Sequence, residues 1–244
     1  MKHTSIRNLS ILKNIDNTYL EKFTEHLGLF ITQHLKRAET YKDFPISDFL
    51  VLFLNYTNAQ PDIFAFERCL NLWYSLLEYF TDHVNDDEKE KMKIESYQPI
   101  MTQFFEQLFL KARFTSNEYN LKAFNDKTED IEYQTELDHF INTCANIVLK
   151  LSELYPEVVL QKLLALYFND FQHMQSETVF HAVKNYARDM KLTLQCFGQI
   201  AYLFTAEFEN NFTSTLQLIQ QFMNTLSTCM ENEIYLKGNS LTKL

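Results

Sequence analysis

The chain holds 244 residues, 46% of them hydrophobic, with a net charge of −10 and only 3 Gly and 4 Pro. Average usage is roughly 7% Gly and 5% Pro, so the shortage of turn formers excludes a sheet-rich fold and predicts helices joined by short polar loops. No run of Lys and Arg exceeds two, which excludes the basic stripe of a typical nucleic-acid binder and leaves an acidic surface suited to basic partners.

The opening stretch, MKHTSIRNLSILKNIDN, has no uninterrupted apolar core and reads as something other than a signal peptide. From there apolar periodicity and punctuation predict about eight helices. The first covers 17–40, with Asp16 as its N-cap. The second follows Pro45 to 58. Its run FLVLFL (49–54) is an uninterrupted apolar stretch far too short to span a bilayer.

The third predicted helix, QPDIFAFERCLNLWYSLLEYF (60–80), carries the strongest signal. Wound at 100° per residue, Phe66, Leu70, Trp73, Leu77 and Phe80 fall on one line. Cys69, Leu72, Leu76 and Tyr79 lie beside them, so about half the circumference is apolar. These five residues on the line are the predicted structural core, with Trp73 buried between helical units. A helix with so wide an apolar face needs neighbours on more than one side.

The fourth predicted helix covers 97–113, with Pro99 in its first turn. The fifth covers 131–155, the sixth runs from Pro156 to 172, the seventh spans 177–206 and the eighth 208–230. Two charged segments, 81–96 and 115–133, read as loops, either solvated connections or partner-binding insertions. Alternate helices begin about 45 residues apart, close to the period of HEAT and armadillo arrays. The expected fold is therefore all-α, a solenoid of about four HEAT-like antiparallel helix pairs forming one array over 1–244. In such an array an inner helix packs on its partner and on the units before and after it, as the half-apolar third helix requires.

No chemistry-bearing motif emerges. Glu136 and His139 form a single ExxH, whereas a di-iron bundle needs two and further Glu. The seven His (His3, His26, His34, His83, His139, His173 and His181) never pair as HxxxH or HxxH. DHVNDDEKE lacks the central Gly of a calcium loop, and no phosphate-binding Gly motif or nucleophile elbow occurs. The four Cys are widely spaced without CxxC and read as reduced core residues. No catalytic, metal or cofactor-binding residue is assigned, and no cofactor is expected. The stripes Phe104, Phe105, Leu108 and Phe109, and Tyr186, Met190, Leu194, Phe197, Ala201 and Phe204, read as core or, alternatively, as a groove for a partner helix or phenylalanine-bearing peptide. At the array's ends, Phe23, Leu27, Phe30 and Ile31, and Leu216, Ile219 and Met223, are expected to be partly exposed.

FPISDFLVLFLNYTNAQPDIFAFERCLNLWYSLLEYF (44–80) closely resembles a helical pair of the importin-β superfamily of nuclear transport receptors, on its export side. IDNTYLEKFTEHLGLFITQHLKR (15–37), TELDHFINTCANIVLKLSELYPEVVLQKL (135–163) and LTLQCFGQIAYLFTAEFENNF (192–212) resemble the same family in the same order, and the acidic NDKTEDIEYQTE (125–136) matches its lead-in to a helix. The resemblance implies a binding protein without catalytic activity that shuttles between nucleus and cytoplasm. Its implied partners are protein cargo, specifically actin with profilin, Ran-GTP through the complete receptor, and nucleoporins, with neither nucleic acid nor membrane insertion. Receptors of this superfamily are longer arrays, so the chain is expected to be an internal portion lacking the Ran-binding N-terminal repeats. Cargo contacts are not assigned. An import receptor segment or a general helical-repeat interaction scaffold stays open.

Overall fold

The computed structural model describes residues 15–40, 44–84, 88–124 and 135–208, and most of 216–227. Its elements are α1 (Asn17–Leu29), a π-helical turn (Phe30–His34), α2 (Leu35–Thr40), α3 (Ile46–Asn58), α4 (Ile63–Val84) and α5 (Glu88–Glu95). They continue with α6 (Gln98–Ala112), α7 (Phe114–Ala123), α8 (Glu136–Leu154), α9 (Pro156–Ser176), α10 (Phe180–Gln199) and α11 (Ala201–Phe208). No strand element occurs among the described residues, and the architecture is an all-α solenoid of antiparallel helix pairs.

Several ends are set by local chemistry. Asp16 caps α1 by accepting the Thr18 amide at 2.7 Å. Thr135 and Asp138 form a reciprocal capping box at the start of α8. Pro99 and Pro156 sit in the first turns of α6 and α9, where a missing N–H costs nothing.

Side-chain pairs establish the direction of each helix. In the first unit Tyr56 at the end of α3 meets Phe23, while Phe49 near its start meets Phe30. In the second, Lys111 lies over Phe66, Trp73 stacks on Phe104 and Phe80 meets Tyr97. Both pairs therefore run antiparallel. Equivalent helices of successive units run parallel. Glu21 of α1 pairs with Arg68 of α4. Phe66 and Tyr74 of α4 meet Phe140 and Lys150 of α8, and Asn142 and Ser152 of α8 meet Gln195 of α10 and Tyr202 of α11. One row is thus α1, α4, α8, α10. The other is α3, α6, α9, continued by Phe222 against Tyr167 and Phe168. Gly28 faces α4 closely: a Cβ there would lie 3.0 Å from Leu72 Cδ2, so that side chain would have to shift by a few tenths of an ångström to admit one.

The segments expected to be loops are corrected in part. Residues 81–84 continue α4, and Glu88–Glu95 is helical. Its Glu and Lys are good helix formers, acids occupy its first turn and Glu90 pairs with Lys93. Ile94 anchors it, buried, with the Tyr155 hydroxyl donating to its carbonyl at 2.6 Å. Likewise 114–123 forms α7, two short helical pieces that meet at a kink at Asn117 (φ −142°, ψ 31°), pinned on either side of it by buried Phe114 and Leu121. The rest of that expected loop, 125–133, lies outside the described residues, as does much of the helix expected over 208–230. The expected seventh helix is two, because the backbone leaves helical geometry at Ile200 (φ −95°, ψ 17°) between α10 and α11.

Candidate interaction surface

The structure places the predicted core residues Phe66, Leu70, Trp73, Leu77 and Phe80 in the centre of the second unit, none more than 2% exposed. Trp73 is sandwiched between Phe53 (centroids 4.6 Å) and Phe104 (4.2 Å), and its indole N–H donates to Thr57 Oγ1 at 2.9 Å. One side chain from the α4 row thereby joins α3 of the preceding unit to α6 of its own. The stripe Phe104, Phe105, Leu108 and Phe109 is buried too.

The α10 stripe divides. Met190 and Phe197 are buried and Tyr186 and Phe204 half-buried, but Leu194 is 44% exposed and Ala201 is exposed. The buried face is rotated toward Val183, Asp189, Thr193 and Cys196, because α8 and α7 both press on that side. At the first unit Phe23 is exposed and Leu27 and Phe30 half-buried, while Ile31 is buried, contrary to its expected exposure. Leu216, Ile219 and Met223 are exposed.

The groups that could have carried chemistry are dispersed. Among the described residues no three His, Cys, Asp or Glu side chains come together as a metal cage. His139 is largely exposed and lies 3.8 Å from Glu67 of the neighbouring helix. Burial pushes the Cys69 and Cys196 thiols up to about 12 and the Cys144 thiol in the same direction, which removes the thiolate a nucleophile needs. No described helix is long and apolar enough to cross a membrane.

Sequence reasoning missed one site, a buried charge cluster. Arg113, at the junction of α6 and α7, pairs through Nη2 with Asp170 of α9 and through Nε with Asp189 of α10 at 3.2 Å. Asp189 also accepts the Phe114 amide (2.6 Å), the Thr115 amide (3.1 Å) and the Thr115 hydroxyl (2.5 Å), so it caps α7 from another helix. Burial raises both carboxyls against the pull of Arg113, Asp170 to about 7. The signal was available: Asp170 stands between Tyr167 and Met174 on the buried line of α9.

What remains at the surface is suited to binding. The N-terminal ends of α1 and α4 frame a cleft of about 310 Å³ lined by Asn17, Leu20, Phe64 and Arg68, among others. Tyr19, Phe23 and Leu29 are exposed on α1, Val51 and Leu52 on α3, and Tyr119, Val179 and Phe180 around the junction of α7 and α10. Stacked units with apolar side chains on their rims offer extended contact area.

No protein-family model and no solved structure matches the chain. Curated proteins do. It is similar to exportin-6 of Homo sapiens and of Mus musculus, 28% identical over 234 residues, which covers 88% of this chain and 21% of each relative. Exportin-6 of Danio rerio is 27% identical over 255 residues (96% and 22%), and that of Dictyostelium discoideum 26% over 244 residues (93% and 23%). The chain spans about a fifth of the length of these relatives. Over most of its length, therefore, this helical array is similar to a segment of exportin-6.

Proposed function

We propose that the chain acts as part of a nuclear export receptor, binding protein cargo within a complex that depends on Ran-GTP, with actin and profilin as the cargo class. It works by differential affinity and not by catalysis: a stacked superhelix holds cargo in one state and loses it in another, and Ran-GTP biases the two. The observation that carries this reading is the similarity to exportin-6 across some nine-tenths of the chain, in organisms as far apart as Homo sapiens and Dictyostelium discoideum. The pairwise helical stacking supports it, since such arrays present long binding surfaces. On this reading the protein shuttles between nucleus and cytoplasm and meets nucleoporins on the way.

The test replaces the matching fifth of exportin-6 with these 244 residues and measures Ran-GTP-dependent capture of actin–profilin. The chimera should capture cargo only with Ran-GTP present. The 244-residue chain alone should bind Ran-GTP weakly or not at all, because a fifth of the superhelix supplies too few contacts to offset the lost freedom of association. A chimera whose cargo capture ignores Ran-GTP would remove the export reading and leave a helical-repeat scaffold. Tight Ran-GTP binding by the chain alone would show that the Ran contacts lie within it.

A further inference from the structure

The helix inserted between the second and third units does not pack only on its neighbours in sequence. α7 leaves α6 at Arg113, and its side chains reach every later unit. Phe124, just after its end, packs on Phe64 of α4 at 4.2 Å and on Phe140 of α8 at 5.9 Å, and its carbonyl accepts the Leu137 amide. Asp189 of α10 caps its first turn. Arg188 of α10 lies 4.4 Å over the Phe114 ring. Glu118 in the middle of α7 pairs with His181 of α10 at 2.7 Å. Arg113 closes the set by engaging the third unit through Asp170 and the fourth through Asp189.

We propose that α7 is a brace and the Arg113–Asp170–Asp189 cluster its latch, together holding the second, third and fourth units at one fixed angle so that α4, α6, α7, α8, α9 and α10 move as a single body. The proposal stands on the fold alone and is independent of the export reading. In an unbraced solenoid each unit touches only its neighbours and bending is distributed along the stack. Here α7 and its flanking residues connect the second unit directly to the fourth as well as to the third. By contrast, the described ion pair between α1 and α4 is Arg68 with Glu21, both nearly half exposed, and exposed pairs hold little. The buried stack of Trp73 on Phe53 packs that junction as well, but no described helix reaches across it to a later unit, so it is the junction left unbraced.

The latch has the composition of a device that is either closed or open. Arg113 presents two different nitrogens of one planar fork to two carboxylates, a spacing that the single nitrogen of a lysine does not match. Asp170 and Asp189 are almost wholly buried, and Asp170 Oδ2 is buried without a hydrogen-bond partner. Partial loosening would strand these groups without partners, so release takes the whole cluster at once.

The experiment measures distance distributions by pulsed electron resonance between spin labels on exposed residues, Asn71→Cys on α4 and Lys191→Cys on α10, with Cys229→Ser. A second pair, Lys22→Cys with Asn71→Cys, spans the first junction. The wild-type α4–α10 distribution should be narrow and the α1–α4 distribution at least twofold wider. Asp189→Asn and Arg113→Lys should each widen the α4–α10 distribution at least twofold with helical content unchanged. An α4–α10 distribution as wide as the α1–α4 one in the wild type, or unchanged width in both folded variants, overturns the brace and leaves an ordinary helix cap. Should either variant unfold, amide exchange in the wild type decides instead. Joint exchange of the Phe114 and Thr115 amides through an opening at least tenfold more frequent than global unfolding supports a latch, and exchange only by global unfolding overturns it.

Discussion

Trp73→Ala is the sharpest perturbation of the array. Trp73 is fully buried and touches two helices besides its own through ring stacking on Phe53 and Phe104. Truncating a buried Trp costs about 3–5 kcal/mol through lost burial and the cavity left behind. The two stacked contacts, at about 0.5–1.5 kcal/mol each, and the bond to Thr57, at about 1 kcal/mol, place this site at the upper end of that range. Total stability for a domain is about 5–15 kcal/mol, so the loss is a large fraction of it. With a urea dependence of about 3 kcal/mol per molar, the midpoint should fall by about 1.5 M. Circular dichroism is the assay, because Trp73 is the sole tryptophan and the variant has no indole to follow. Trp73→Phe separates the contributions. It keeps a ring between Phe53 and Phe104, and Thr57 still donates to the Phe53 carbonyl, so it should cost only about 1–2 kcal/mol. An alanine variant with the wild-type midpoint, or equal losses for both variants, would refute the view that this ring stack joins the first and second units.

Further expectations concern the buried cluster, the thiols and the rim. Asp170, raised to about 7 by burial against Arg113 and with Asp189 also facing it, binds a proton in the folded state that the unfolded chain has released above about pH 4. Its contribution is therefore greatest at the acid end of that window and declines as pH rises to about 7. The unfolding midpoint of wild type relative to Asp170→Asn should fall between pH 5 and 8, and parallel profiles for the two would refute the shift. Asp189→Ala removes one of the two carboxylates facing Arg113 and uncaps α7, and should cost about 3 kcal/mol in urea unfolding, more than an exposed-cap loss. An alkylating reagent at pH 8 should leave Cys69, Cys144 and Cys196 unmodified until denaturant is added, which mass spectrometry of digested protein reads directly. Exposed Leu216, Ile219 and Met223 should promote self-association, so Ile219→Gln with Met223→Gln should lower the sedimenting mass at high concentration; no difference from wild type would refute a sticky rim.

Why the helix pairs were readable and the brace was not follows from what each leaves in the sequence. A helix packed on several sides writes its face as apolar residues three and four apart, so the line from Phe66 to Phe80 identified the centre of the second unit without any tertiary information. Asp16, Pro99 and Pro156 marked boundaries because caps and missing amides act within a single turn. The charged stretch EKEKMKIE escapes the same reading because its charge resembles that of a solvated loop, although Glu and Lys are strong helix formers and one buried Ile suffices to anchor two turns. Asp189 lies 75 residues from the Phe114 amide that it caps, and no local pattern pairs a carboxylate with a helix start at that distance. What the sequence does show is a charge on an apolar line, Asp170 between Tyr167 and Met174. Burying such a group costs several kcal/mol unless a partner is brought to it. A charge in that position therefore states that a cation arrives from elsewhere in the chain. The long insertion before the third unit is where Arg113 comes from, and supplying that partner is a physical reason for an array to interrupt its own repeat.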